Sequence, residues 1–167
     1  RTMSGITRRI KTYSLVCLTA TQVILDYAIA NKMTVMLGVF VTKQQSRNDL
    51  EVANFRTIAS KYAQAGVISD IMVGNEPIFI EKASVSQVVD TIAAVRGAAN
   101  AAGLKAPIGT AEIYGVWMNE QNPAGSPQIP SVDFMPVVKA VDWIGLNTHP
   151  YYAGQDPLVG DVGADQV

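Results

Sequence analysis

Short apolar runs alternate with longer amphipathic stretches along most of this chain. Five runs predict buried strands: Arg9–Ser14, Thr34–Val41, Ile68–Gly74, Pro107–Ala111 and Val141–Asn147. Each is short and rich in apolar or β-branched residues, the pattern of a strand covered on both faces in a parallel sheet. Between them the period lengthens to that of a helix. Phe55, Ile58, Ala59 and Tyr62 recur at i, i+3, i+4 and i+7. Asn48 and Glu51 are expected to form the capping box that starts this helix, and Gly66 to end it. Ser84 is placed to cap a further helix, with Val85, Val88, Val89, Ile92 and Val95 on one face and Gly103 as its stop. A weaker helix over 21–30 is expected to bury Ile24, Tyr27 and Ala28. The segment 119–130, with three prolines and a glycine, predicts a long loop, and a short helix over 132–139 leads into the last strand.

Regular strand–helix alternation implies right-handed βαβ units and a parallel sheet. The strand ends fall near Val39, Glu76, Glu112 and His149, at intervals of 37, 36 and 37 residues. That is the length of a βα unit with functional loops. An open doubly wound sheet and a (β/α)8 barrel both fit this alternation. No glycine-rich phosphate loop follows any strand, whereas polar residues end strand after strand, which favours the α/β class (β/α)8 TIM barrel. A whole barrel needs about 250 residues. The 167 residues are therefore expected to supply roughly five βα units, as one partial catalytic domain over 1–167. The first strand pattern begins almost at Arg1 with no signal-peptide pattern before it, so the chain is expected to start upstream. A sheet open at both edges is expected to be poorly soluble by itself.

Composition removes several classes of partner. A net charge of −1 leaves no basic footprint for nucleic acid. No apolar run approaches the ~20 residues of a membrane span. His149 is the only histidine, so a His-rich zinc site is not expected, and neither metal nor organic cofactor is called for. Cys17, the only cysteine, reads as a buried thiol. Trp143, inside a strand pattern, reads as core.

The chemistry concentrates at Asn75-Glu76-Pro77, directly after the third strand. A carboxylate at the C-terminal end of a barrel strand lies on the face where such enzymes keep their reacting groups. Glu76 is the candidate general acid/base. The plainer alternative is a surface glutamate paired with Lys82. Asn75 can donate its amide to a sugar 2-hydroxyl, an interaction that strengthens in an oxocarbenium-like transition state.

Val73-Gly74-Asn75-Glu76-Pro77 resembles the acid/base motif of glycoside hydrolase family 17, the β-1,3-glucanases and related glucanosyltransferases. Further segments are similar to the fungal-type branch in the same order: Arg9-Ile10-Lys11-Thr12-Tyr13 with Cys17, Val35-Met36-Leu37-Gly38-Val39, Gly109-Thr110-Ala111-Glu112, and the run from Val141 to Tyr152. The similarity covers nearly the whole chain, from the family's second barrel strand to just past its sixth. It implies a retaining enzyme acting on β-1,3-glucan, with Glu76 as proton donor. The family's nucleophile is a second glutamate ending the seventh strand, in a Glu-Thr-Gly-Trp-Pro-like stretch that these residues do not contain. By the same resemblance the protein is expected to be secreted or cell-wall bound. Glu112 stands where an aspartate is common in related sequences. It reads either as a sugar-binding residue, the favoured role, or as a second catalytic carboxylate. His149, Tyr151 and Tyr152 follow the last strand, where aromatic faces stack on pyranose rings. Tyr13 is either a neighbour of the catalytic pair or a core tyrosine, and Tyr114 and Trp117 are candidates for acceptor-side stacking. The alternatives are a β-1,3-glucanosyltransferase, another retaining β-glycosidase on the same barrel, and an inactive carbohydrate-binding fragment.

Overall fold

Strands and helices follow one another in a computed structural model that describes residues 5–118 and 132–148. The order is β1 (Arg9–Lys11), α1 (Leu18–Ala30), β2 (Thr34–Val39), α2 (Gln45–Tyr62), β3 (Ile68–Asn75), α3 (Val85–Ala102), β4 (Ile108–Ile113), α4 (Tyr114–Met118), α5 (Met135–Ala140) and β5 (Trp143–Asn147). All four strand pairs are parallel, and spatial order equals chain order, β1-β2-β3-β4-β5. A doubly wound sheet reverses its strand order at a switch point. This sheet has no reversal, so each unit adds the next stave of a (β/α)8 wall.

The two faces of the sheet differ by the period-two rule. Val35, Leu37, Val39, Ile71, Val73 and Ile108 belong to one buried cluster with Leu25, Phe55, Ile58, Ile92 and Val95 of the helices. The opposite, inner face carries Met36, Met72 and Ala111 among glycines. Trp143 lies on this inner face: a Cβ at Gly109 would meet the Trp143 ring at 2.1 Å. Only a glycine lets the indole lie there, so Trp143 packs on the lumen side and is not part of the helix–sheet core.

Local signals set both ends of α3. The Ser84 hydroxyl accepts from the Gln87 amide at 3.1 Å, and the Gln87 side chain accepts from the Ser84 amide at 2.9 Å. This reciprocal cap starts α3, and Gly103 ends it at φ 73°. In α1 the fully buried positions are Thr21, Leu25 and Ala28, with Ile24 and Tyr27 packed at the margin. Cys17 precedes α1 and is exposed, so the expected buried thiol is corrected.

The capping box expected at Asn48 and Glu51 is also corrected. Helix α2 begins earlier, with Gln44 at its N-cap and no side-chain cap. Asn48 and Glu51 lie inside the helix, in phase with Val52, Phe55, Ile58, Ala59 and Tyr62, so they share its buried face. There they serve loops. Asn48 pairs with both backbone groups of Thr42, at 2.9 and 2.8 Å. Glu51 accepts from the Ser14 hydroxyl, the Leu15 amide at 2.7 Å and the Phe40 amide at 3.2 Å. One helix residue thereby ties down the loops after both β1 and β2. No described helix is long and apolar enough to cross a membrane.

Candidate active site

The site begins with a break in alternation near the end of β3. Met72 pairs with Gly109 and Asn75 with Ala111, so β3 spends three residues where β4 spends two. The extra residue is a bulge, a device that re-aims side chains at strand ends. Gly74 sits within it at φ 82°, and a Cβ there would lie 2.9 Å from Pro77 Cγ. Backbone conformation and ring contact both require glycine. Because of the bulge, Asn75 joins Met72 on the inner face although the two are three residues apart.

Glu76 follows in the left-handed region at φ 52°, unusual for a residue with a side chain. Its amide donates to the Ala111 carbonyl at 2.8 Å, and its carbonyl accepts from Ile80 at 2.9 Å and Glu81 at 3.3 Å. The side chain is half-buried. Asn147, at the end of β5, donates from Nδ2 to Glu76 Oε1 at 2.7 Å, and the same nitrogen lies 3.4 Å from Asn75 Oδ1. Lys82 turns to the Phe79 carbonyl and stacks over the Phe79 ring at 5.3 Å.

Glu112 does not face the cleft. Period two places it with Ile108 and Thr110 on the helix side of β4, and it is 0% exposed. Its Oε2 accepts from the Ile78 and Phe79 amides at 2.9 and 3.2 Å, and its Oε1 from the Ile113 amide at 2.8 Å. The expected contact with sugar hydroxyls, and the reading as a second catalytic carboxylate, are both corrected by this orientation. Burial pushes its pKa above the ordinary carboxyl value, the three amides pull it back, and the charge of Glu76 adds to the rise.

The aromatic candidates separate. Tyr13 is 52% exposed just beyond the edge strand β1, with Lys11 Nζ 4.6 Å from its ring centroid. Tyr114, at the start of α4, is 41% exposed. Trp117 instead packs edge-on against Phe134 at 4.5 Å between centroids, and its Nε1 donates to the Gly145 carbonyl at 3.1 Å. These contacts tie its half-buried indole to Phe134 before α5 and to β5. His149, Tyr151 and Tyr152 lie outside the described residues. Among the described residues no group of three His, Cys, Asp or Glu side chains could hold a metal ion.

Asn147 is the residue that sequence reasoning passed over. It ends the strand run Trp143–Asn147 as Asn75 ends β3, so the strand-end rule that selected Asn75 applied equally to it.

The family model of the BtgE/BtgC glycoside hydrolase domain matches residues 1–164. No curated protein matches the sequence. Among solved structures, the chain is similar to the glycoside hydrolase family 17 β-1,3-glucanosyltransferase from Rhizomucor miehei, at 20% identity and a TM-score of 0.70 over 92% of this chain and 50% of that one. It is also similar to an active-site mutant of the Rhizomucor miehei β-1,3-glucanosyltransferase in complex with laminaritriose, at 20% identity and a TM-score of 0.67 over 88% of this chain and 48% of that one. At this identity the likeness is one of fold, and the chain spans about half the length of these solved structures.

Proposed function

Because this chain belongs to the BtgE/BtgC glycoside hydrolase domain family, we propose that Glu76 is the general acid/base of a retaining enzyme that acts on β-1,3-linked glucan. The observation that carries the reading is the placement of Glu76 at the C-terminal end of β3, with its carboxylate held by Asn147 at 2.7 Å. As general acid Glu76 carries the proton that the reaction transfers. In the first step that proton passes to the glycosidic oxygen as the C1–O bond breaks. A second glutamate outside these 167 residues attacks C1 and forms a covalent glycosyl ester. In the second step Glu76, now a carboxylate, takes a proton from the incoming hydroxyl as its oxygen displaces the ester at C1. Asn75, whose Oδ1 is turned toward Asn147, has its NH2 group available to a sugar hydroxyl.

The incoming hydroxyl belongs to water in a hydrolase and to a sugar in a transferase. The solved structures similar to this chain are named as transferases, which supports the transfer reading as the second one. With such a polymer as substrate, the protein would work outside the cell or in its wall.

The test is product analysis of the whole protein on laminarihexaose. Wild type is expected to give shorter oligosaccharides, and longer ones as well where a sugar is the acceptor. Glu76→Gln is expected to lose roughly 100-fold or more in turnover, the span of a general acid. Cleavage of β-1,4-linked oligosaccharides alone, or an unaffected Glu76→Gln variant, overturns the reading.

A further inference from the structure

The turn that carries Glu76 has a shortage of acceptors at its start. Glu76 O already serves Ile80 and Glu81, and Pro77 O serves Ala83. Pro77 has no N–H to place, but the amides of Ile78 and Phe79 come too early in the turn to find a carbonyl within it, as in the first turn of a helix. Ile78 is 3% exposed, so water cannot readily replace the missing partner. Both amides are met by one oxygen of Glu112 from the neighbouring strand, at 2.9 and 3.2 Å. Its other oxygen is held by the Ile113 amide of its own chain segment, at 2.8 Å. The acid is thus tied to β4 twice, by its own amide on Ala111 and by the turn after it on Glu112.

We infer that Glu112 is a positioning residue for the reaction: from the far side of the sheet it holds the turn that keeps Glu76 in its left-handed backbone and so aims the acid, without touching substrate. The inference rests on the reading of Glu76 as general acid/base. A residue that acts this way affects protonation of the leaving group and little else. One that binds sugar affects KM, and one that only stabilises the fold affects every substrate alike.

The experiment uses the whole protein and Glu112→Gln, which keeps the size of the side chain but turns an NH2 group toward one set of amides. On laminari-oligosaccharides kcat is expected to fall about 10- to 100-fold, part of what a general acid contributes, with KM within about twofold. On 2,4-dinitrophenyl β-laminaribioside, whose leaving group departs without a proton, kcat/KM is expected to stay within about threefold of wild type. The double variant Glu76→Ala/Glu112→Gln is expected to be no slower than Glu76→Ala alone. Amide hydrogen exchange, which needs no turnover, is expected to speed up at Ile78 and Phe79 ahead of the strands. Equal losses on both substrates, additive losses in the double variant, or a raised KM with unchanged kcat each overturn the inference. If Glu112→Gln does not fold, Glu112→Asp retains the charge with a reach one methylene shorter and faces the same comparisons. A Glu76→Ala variant with full activity on the unactivated substrate would instead sink the reading of Glu76 itself.

Discussion

Asn147 Nδ2 lies 2.7 Å from Glu76 Oε1, so the end of β5 holds the side chain at the end of β3 across the whole width of β4. Ala111 of β4 stands between Asn75 of β3 and Gly145 of β5, and Asn147 itself pairs with Ile113, two residues further along. A Cβ on Gly145 would already come within 2.9 Å of the Ala111 Cβ. These two small residues leave room on the lumen face beside the hydrogen bond that joins the two non-neighbouring strand ends.

Removing that bond is expected to cost turnover more than binding. A hydrogen bond to a charged group contributes about 1.5–3 kcal/mol, which corresponds to roughly 10- to 100-fold in rate. Asn147→Ala should therefore lower kcat on laminari-oligosaccharides by that factor and change KM little. Steady-state kinetics on the whole protein check this, and an unchanged kcat would refute it.

Gly74→Ala is expected to destabilise the fold. A Cβ at φ 82° is strained, and it would also press on Pro77 at 2.9 Å. Together these effects amount to about 2–4 kcal/mol. Urea denaturation compares the variant with wild type, and a midpoint within error of wild type counts against the account.

Glu51→Ala is expected to be the more damaging change although it lies on a helix. It strands the Ser14 hydroxyl and the Leu15 and Phe40 amides, and removes the partner of Arg47 at 3.5 Å. Loss of a buried charged partner of this kind costs about 3–5 kcal/mol. The loops after β1 and β2 should lose protection from hydrogen exchange before the strands do, a pattern visible by mass spectrometry.

Asp142 links stability to pH. Its Oδ2 accepts from the Ile108 amide at 2.8 Å, and Arg96 grips both of its oxygens at 3.1 and 3.2 Å. The amide first, and the guanidinium second, hold its carboxyl below the ordinary value of 3.8. A depressed folded pKa means that the stabilisation is present above the unfolded value and is lost as pH falls through the folded one. The pair is partly exposed, so solvent screening limits the effect to about 1 kcal/mol. The stability gap between wild type and Asp142→Asn should be open at pH 6 and close as the solution is acidified below about pH 4. A gap that widens with acid would contradict it.

The apolar runs and their spacing made the parallel sheet legible, because a strand buried on both faces must be apolar wherever it lies. The caps at Ser84 and Gly103 were legible for a similar reason, since they satisfy backbone groups within a few residues. Glu76 and Asn75 could be picked out because the end of an apolar strand is a position readable along the chain. Glu51 and Glu112 were misread by one common route. Each is a carboxylate whose role depends on which way its side chain faces.

The sequence by itself determined the strand–helix order, the barrel class and the strand end that carries the candidate acid. These follow from hydrophobic periodicity and from local hydrogen bonding. Only the tertiary structure decided what surrounds that acid. The one-residue bulge at the end of β3, the outward turn of Glu112 and the reach of Asn147 to Glu76 all depend on the register between strands far apart in sequence. A shift of one residue there turns a side chain from lumen to core, and no local pattern records it.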